Sequence, residues 1–155
     1  MVYISGATGT GKTRGVLEKN GNSNVYRVTD YLHPFDSYNG QPVIAFDEFR
    51  SSLRIKEMLL FCDIYPIELP SRYTNKYACY NKVYIISNWS LEKQYYEVQK
   101  DDKESWEASV YFGIGQNKLR ELTNSDSCPY VIWCGNKRLI KRKLFLEYLE
   151  KMYSI

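Results

Sequence analysis

Histidine is nearly missing from this sequence: His33 is the one imidazole among 155 residues. A zinc centre built on histidines therefore has no ligand set. Cysteine is sparse as well, and Cys62, Cys79, Cys128 and Cys134 form no C-x-x-C pair. That excludes a zinc ribbon and a dithiol redox motif, and it predicts four reduced, mostly buried thiols in a cytoplasmic compartment. No apolar run approaches membrane-spanning length and no signal-peptide pattern opens the chain, so no membrane partner is expected. A dominant charge is missing too, because a net +3 is too small by itself to imply nucleic acid. Internal repeats and low-complexity stretches are also absent.

What is there reads as one ordinary domain with a real core, at 44% hydrophobic and 25% charged residues. Tyrosine is abundant, with 15 copies. It suits strands and half-buried surfaces, and it can stack on bases. The chain opens almost on its first strand, as at a domain edge.

The most informative run is Gly6-Ala7-Thr8-Gly9-Thr10-Gly11-Lys12-Thr13, a full match to G-x-x-x-x-G-K-[ST]. Glycines let the backbone turn tightly and lay its N–H groups on phosphate oxygens. Lys12 then reaches the β- and γ-phosphates, Thr13 offers a hydroxyl to Mg²⁺, and the helix that starts there points its positive end at the anion. Context supports the motif. A short apolar stretch from Val2 to Ser5 precedes it, and a plausible helix follows until Asn20-Gly21. ATP and Mg²⁺ are the expected cofactors.

Strands are predicted at 24–28, 43–46, 83–87 and 130–134, and helices at 52–63, 101–111 and 136–153. Residues 65–70 read as extended, because each proline biases its predecessor away from the α region. Residues 71–81 read as a loop or hairpin. Strands alternating with helices predict a three-layer α/β fold with a mainly parallel sheet.

Val43-Ile44-Ala45-Phe46 suits a buried parallel strand and ends in Asp47-Glu48. Beside a phosphate loop, Asp47 would hold Mg²⁺ directly or through water, and Glu48 would deprotonate the attacking water. Taken alone, a buried strand ending in a solvated acidic pair explains the pattern equally well. Val83 to Ser87 is a second such strand, tipped by Asn88. An amide there can bond the water or the γ-phosphate, although Asn88 also suits a plain turn before Trp89.

These three motifs, in this order, resemble the superfamily 3 helicase domain. More narrowly, they resemble the helicase half of rolling-circle replication initiators from bacterial plasmids and small circular single-stranded DNA viruses. The resemblance rests on Gly6 to Thr13, Ala45 to Arg50, and Tyr65-Pro66-Ile67-Glu68-Leu69-Pro70 leading into Tyr84 to Asn88, and it covers about residues 2–107. It implies an AAA+-like P-loop ATPase that assembles as a ring, commonly a hexamer, and moves on single-stranded DNA. Lys12, Glu48 and Asn88 would be catalytic, and Thr13 and Asp47 would hold the metal. The segment 71–77 would project into the ring's channel. Arg72 and Lys76 would contact DNA phosphates there, and Tyr73 or Tyr77 would stack on bases. The location would be a bacterial cytoplasm or, for a virus, the host cell.

Two departures stand out. Such initiators carry a nicking domain with a His-hydrophobic-His motif, which one histidine cannot supply, so no endonuclease is expected. A fragment, a degraded copy or a stand-alone helicase domain is. The family also places an arginine-bearing run after Trp106-Glu107-Ala108, and none follows here before Arg120. Such an arginine finger is worth about 10³–10⁵ in rate where it operates. The division expected is a P-loop core at 1–108 and a divergent segment at 109–155, a strand and a basic amphipathic helix of the same domain. Lys137, Arg138, Lys141, Arg142 and Lys143 there could track DNA phosphates or simply form a solvated face. An impaired nucleotide-binding or assembly module is thus a second reading. A small nucleotide-dependent kinase is a third, although no arginine-rich lid is visible.

Overall fold

The computed structural model describes residues 1–63, 65–98, 100–124, 128–135 and 137–153. The chain divides into two compact units, Met1–Gln116 and Asn117–Ile155.

In the first unit, strands β1 (Val2–Ser5), β2 (Val25–Val28), β3 (Val43–Phe46) and β6 (Lys82–Ser87) form one parallel sheet in the order β1-β6-β3-β2. Parallel strands are covered on both faces, so they read as near-continuous apolar runs. All four residues of β3 and five of six in β6 are buried. The side-chain alternation of these strands sorts the core into two layers. Val43, Ala45, Tyr84 and Ile86 pack with Val16 and Leu17 of helix α1 (Lys12–Asn20). Ile44, Phe46, Val83 and Ile85 pack with Met58, Leu59 and Phe61 of α2 (Ile55–Phe61) and with Trp106 of α3 (Lys100–Phe112). The expected three-layer α/β P-loop fold follows from that division. Helix α1 starts after Gly11 in the left-handed region (φ 79°) and ends at Gly21 (φ 82°), where a side chain would be strained.

A small antiparallel hairpin joins β4 (Glu68–Leu69) to β5 (Lys76–Tyr77). Asp36 pins it: the Asp36 carboxylate accepts from the Arg72 backbone N–H and guanidinium, and the Asp36 carbonyl accepts from Lys76 Nζ (2.6 Å). The Arg72 backbone N–H, and after it the guanidinium, hold the Asp36 carboxyl below the usual carboxylate range.

The second unit contains α4 (Gln116–Leu122, whose first residue closes the first unit), an antiparallel hairpin of β7 (Val131–Cys134) and β8 (Lys137–Ile140), and α5 (Arg142–Tyr153). A single helix over 136–153 was the expectation from spacing. Gly135, at φ 60°, instead turns the chain back, so 137–140 pair with β7 and the helix starts at Arg142. The expectation of mostly buried thiols holds for Cys62 only. Cys128 is half-buried, and Cys79 and Cys134, placed near the ends of short hairpin strands, are exposed. No helix among the described residues is long and apolar enough to cross a membrane.

Ile85 is fully buried between the sheet and the helices, whereas Leu60 is 47% exposed on α2. Ile85→Ala is expected to cost about 2–5 kcal/mol and Leu60→Ala much less, as read by denaturant unfolding. The depressed Asp36 carboxyl stabilises the hairpin fully above the ordinary carboxylate pKa, about 4. That contribution is lost as pH falls through the lowered folded value. NMR signals of residues 71–77 should therefore lose their native dispersion in acid, and Asp36→Asn should show the loosened state already at neutral pH.

Candidate nucleotide site

The phosphate loop leaves the end of β1 and enters α1. Gly9 and Gly11 both have positive φ (83° and 79°), and a Cβ on either would meet nothing within 4 Å. They are needed for conformation, and the space over the loop stays open. Ala7, Thr8 and Thr10 are exposed along it. Lys12 folds back over the loop, with Nζ donating to the Gly6 and Ala7 carbonyls at 2.9 and 2.8 Å. Thr10 Oγ1 donates to the Ala7 carbonyl. An ammonium held by two carbonyls and, at 3.5 Å, the Thr10 hydroxyl, all uncharged, fits a phosphate group, which would offer it stronger, charged acceptors. The loop is tied to the sheet at Gly6, whose N–H donates to the Ser87 carbonyl at 3.3 Å.

Since β6 lies between β1 and β3, its tip stands beside both of theirs. The sheet order alone therefore brings Gly6–Thr13, Asp47-Glu48 and Asn88 to one rim, the carboxyl ends of the strands, where open α/β sheets bind ligands.

Asp47 is 3% exposed and fully engaged. Its Oδ1 accepts from Thr13 Oγ1 (2.9 Å) and from the Glu48 N–H (3.1 Å). Its Oδ2 accepts from Arg27 Nε (3.2 Å) and from the Arg27 terminal nitrogen (2.6 Å). The Thr13–Asp47 pair fits Mg²⁺ held by the hydroxyl and, through water, by the carboxylate. Direct ligation by Oδ2 would require Arg27 to let go. Among the described residues no group of three or more His, Cys, Asp or Glu could hold a metal by itself. Tyr31 donates to the Asp47 carbonyl at 2.6 Å, and burial, with the Asp47 charge, pushes its hydroxyl pKa upward.

Glu48 is exposed and has a positive φ of 50°, as does Ser51 at 56°. Non-glycine residues in that region are strained, and here surrounding bonds hold them. Phe49 N–H donates to the Ile86 carbonyl, and the Phe49 carbonyl accepts from Ser87 Oγ at 2.6 Å. Between Glu48 and Asn88 stands Arg50, with Nε on Asn88 Oδ1 at 3.0 Å and a terminal nitrogen 3.6 Å from the Glu48 carboxylate. The Asn88 amide is thus part of a polar bridge to the acidic strand and not a plain turn former. Behind these groups, fully buried Gln94 lies within hydrogen-bond reach of Tyr3, Phe49, Ser51 and Ser87.

Sequence reasoning missed Arg27, Arg50 and Gln94. Arg27 offers a faint signal, since it is the one charged residue in the strand Val25–Val28. Arg50 and Gln94 carry none, because only the folded rim brings them to the site. Of the expected DNA contacts, Arg72 and Lys76 are both bonded to the 36–38 segment, Lys76 also reaching the Tyr38 carbonyl at 2.7 Å. The outward groups of the hairpin are Tyr73 and Tyr77, 88% and 71% exposed.

Comparison with known proteins gives the family. A family model described as RNA helicase matches residues 2–88, which contain the loop, the acidic strand and Asn88. The replication-associated protein of canary circovirus is 30% identical over 95 residues, 61% of this chain and 32% of that protein. The chain thus spans about a third of that relative's length. The excisionase from transposon Tn916 of Streptococcus agalactiae is 42% identical over 50 residues, 32% of this chain and 75% of that protein. Through the 50 residues it shares with the excisionase the chain joins that protein's family, and through residues 2–88 it belongs to the RNA helicase family, as a superfamily 3 helicase domain of the rolling-circle Rep kind.

Proposed function

We propose that this chain is an ATP-hydrolysing motor domain of a replication initiator that acts on single-stranded DNA. The observation that carries the reading is the Thr13–Asp47 bond, which joins the phosphate loop to the acidic strand with Glu48 and Asn88 on the same rim.

Lys12 exchanges two loop carbonyls for β- and γ-phosphate oxygens. Thr13 and Asp47 would hold Mg²⁺, which would supply charge neutralisation at the phosphoryl oxygens. Glu48, exposed at its strained corner, takes the proton of the attacking water, and Asn88 orients that water. Arg50 links the two, so a change at either is felt by the other. Tyr73 and Tyr77 give sequence-tolerant stacking faces for a single strand, while Arg72 and Lys76 keep their hairpin in place. A homo-oligomeric ring, such as a hexamer, would bring a neighbour's arginine to the site. The replication-associated relative supports the choice of DNA, and the excisionase gives an independent reason to place the chain on DNA. A bacterial cytoplasm or a viral host cell fits this role.

One observation favours the second reading, a nucleotide-binding or assembly module derived from such a motor: Arg27 occupies Asp47 Oδ2.

Hydrolysis assays with and without single-stranded DNA, over a range of protein concentrations, separate the two. For the motor, DNA-stimulated turnover is expected, and both Lys12→Ala and Glu48→Gln should lower it at least about 10²-fold. Glu48→Gln should still bind nucleotide, whereas Lys12→Ala should not. Binding without turnover at every concentration would favour the module. Arg27 competes with Mg²⁺ for Asp47, so Arg27→Gln should lower the Mg²⁺ concentration for half-maximal nucleotide binding about twofold to fivefold. Titration of a fluorescent nucleotide against Mg²⁺ reads that shift.

A further inference from the structure

Among the described residues, the non-glycine residues with positive φ are Glu48 (50°), Ser51 (56°) and Tyr95 (54°). Such backbone costs energy, and it persists only where surrounding contacts over-determine it. Glu48 and Ser51 bracket the corner Phe49-Arg50, and Tyr95 braces it from the side. The Tyr95 N–H donates to Ser51 Oγ at 2.7 Å, and Ser51 Oγ donates to Gln94 Oε1 at 2.9 Å. Gln94 Nε2 donates to the Phe49 carbonyl at 3.1 Å, and the Phe49 N–H donates to the Ile86 carbonyl at 2.9 Å. Phe49 is the fully buried foot of this corner, and Arg50 is its exposed head. The strained backbone of the first unit is therefore gathered where it fixes the place of Arg50.

As an ion pair Arg50 contributes little. Its terminal nitrogen is 3.6 Å from Glu48 Oε2, and the two side chains are 48% and 61% exposed, so solvent screens the attraction. The bond from Arg50 Nε to Asn88 Oδ1, at 3.0 Å, has a different consequence. A guanidinium has donors and no acceptor, whereas a side-chain amide has an oxygen on one branch and an NH₂ on the other. Facing Arg50, Asn88 has to offer its oxygen, because the flipped amide would set donor against donor. The backbone beside it is held as well, since the Trp89 N–H donates to Ser87 Oγ at 2.9 Å and Ser87 is buried. The Asn88 amide thus has one orientation, and its NH₂ is the branch that Arg50 leaves free.

On a rim shared with a phosphate loop, the acceptor suited to that NH₂ is a terminal phosphate oxygen. We propose that Arg50 is a positioning residue: it holds the Asn88 amide with its NH₂ ready for the γ-phosphate, so that the site prefers a nucleoside triphosphate to a diphosphate. The inference rests on the nucleotide reading above and does not require turnover. Arg50 acts through Asn88 and not on the phosphate itself. Without Arg50, the amide must be ordered at the moment of binding, and one of its two orientations sets oxygen against phosphate oxygen.

Equilibrium titration of the full chain tests this without hydrolysis. Unlabelled ADP or the non-hydrolysable triphosphate AMP-PNP displaces a fluorescent ADP in the presence of Mg²⁺. The ratio of the two dissociation constants measures discrimination by the γ-phosphate. Asn88→Ala removes a bond to a charged acceptor and should lower that discrimination about tenfold. Arg50→Gln removes only the ordering and should lower it about threefold to fivefold, with ADP affinity kept within about twofold. Arg50→Met, of similar length and without donors, should do the same. Arg50→Lys, which also only donates, should restore most of the discrimination. The double variant Arg50→Gln/Asn88→Ala should match Asn88→Ala alone, because the two changes remove one interaction.

Additive losses in the double variant would mean that Arg50 meets the nucleotide itself, and would overturn the proposal. Equal losses for ADP and AMP-PNP in Arg50→Gln would show a merely structural role and would overturn it too, as would an unchanged ratio. Each of these leaves nucleotide binding by the wild-type chain intact. Absence of that binding would instead remove the nucleotide reading, and this inference with it.

Discussion

A buried carboxylate must be paired, and the first unit is arranged around that requirement at Asp47. Leaving an ionised carboxylate alone in a dry interior would cost several kcal/mol. Three separate parts of the chain therefore converge on it: Thr13 from the phosphate loop, Arg27 from β2 and the Glu48 N–H from its own corner. Each donor fixes the element that bears it. Thr13 sets the first turn of α1 against β3, and Arg27 holds the outer strand in register. The corner after Asp47 stays in its strained shape because the bonds of Phe49 to β6 close it from the other side.

Much of the core was readable because its chemistry is written in contiguous residues. The phosphate loop needs glycine at the two positions of positive φ and lysine and threonine at the helix entry, so the motif and the geometry are one statement. The strands Val43–Phe46 and Lys82–Ser87 were readable for a similar reason, since burial on both faces removes polar residues from a parallel strand. Arg27, Arg50 and Gln94 were not, because their meaning depends on which strand tips become neighbours. Nothing near Gln94 in sequence says that it will sit under Phe49. The segment after residue 109 was hard for another reason. A helix does run from Arg142 onward, but its buried face is Phe145 and Leu149, while Leu144 and Met152 of the expected stripe are exposed and Ile140 lies in the strand before it. Gly135 reverses the chain just ahead of that strand, whose Leu and Ile fit the start of a helical pattern equally well.

The two units also separate two kinds of constraint. In the first, charge is balanced and the informative groups are buried or bridged. In the second, a small core of Tyr130, Phe145 and Leu149 supports an excess of cations. Arg138 shows how a basic side chain can be structural, since its guanidinium donates to Thr123 Oγ1 and Asn124 Oδ1, whereas Lys143 is exposed. Counting charges along the chain could not separate the two cases, because the distinction lies in the acceptors each group meets.

The Gln94 side chain has a consequence for how this protein can change over time. Loops usually absorb insertions and deletions, because the segments they connect do not register their length. The stretch from Ser87 to Gln94 runs over the surface through exposed Trp89 and Glu92, and it has the look of such a loop. Its two ends, however, meet in one buried knot with Tyr3 and Phe49. Adding or removing one residue would carry the amide away from that knot and leave several buried groups without partners. The length of this loop is therefore as fixed as that of a strand, while the identity of the residues along its exposed arc is open to drift.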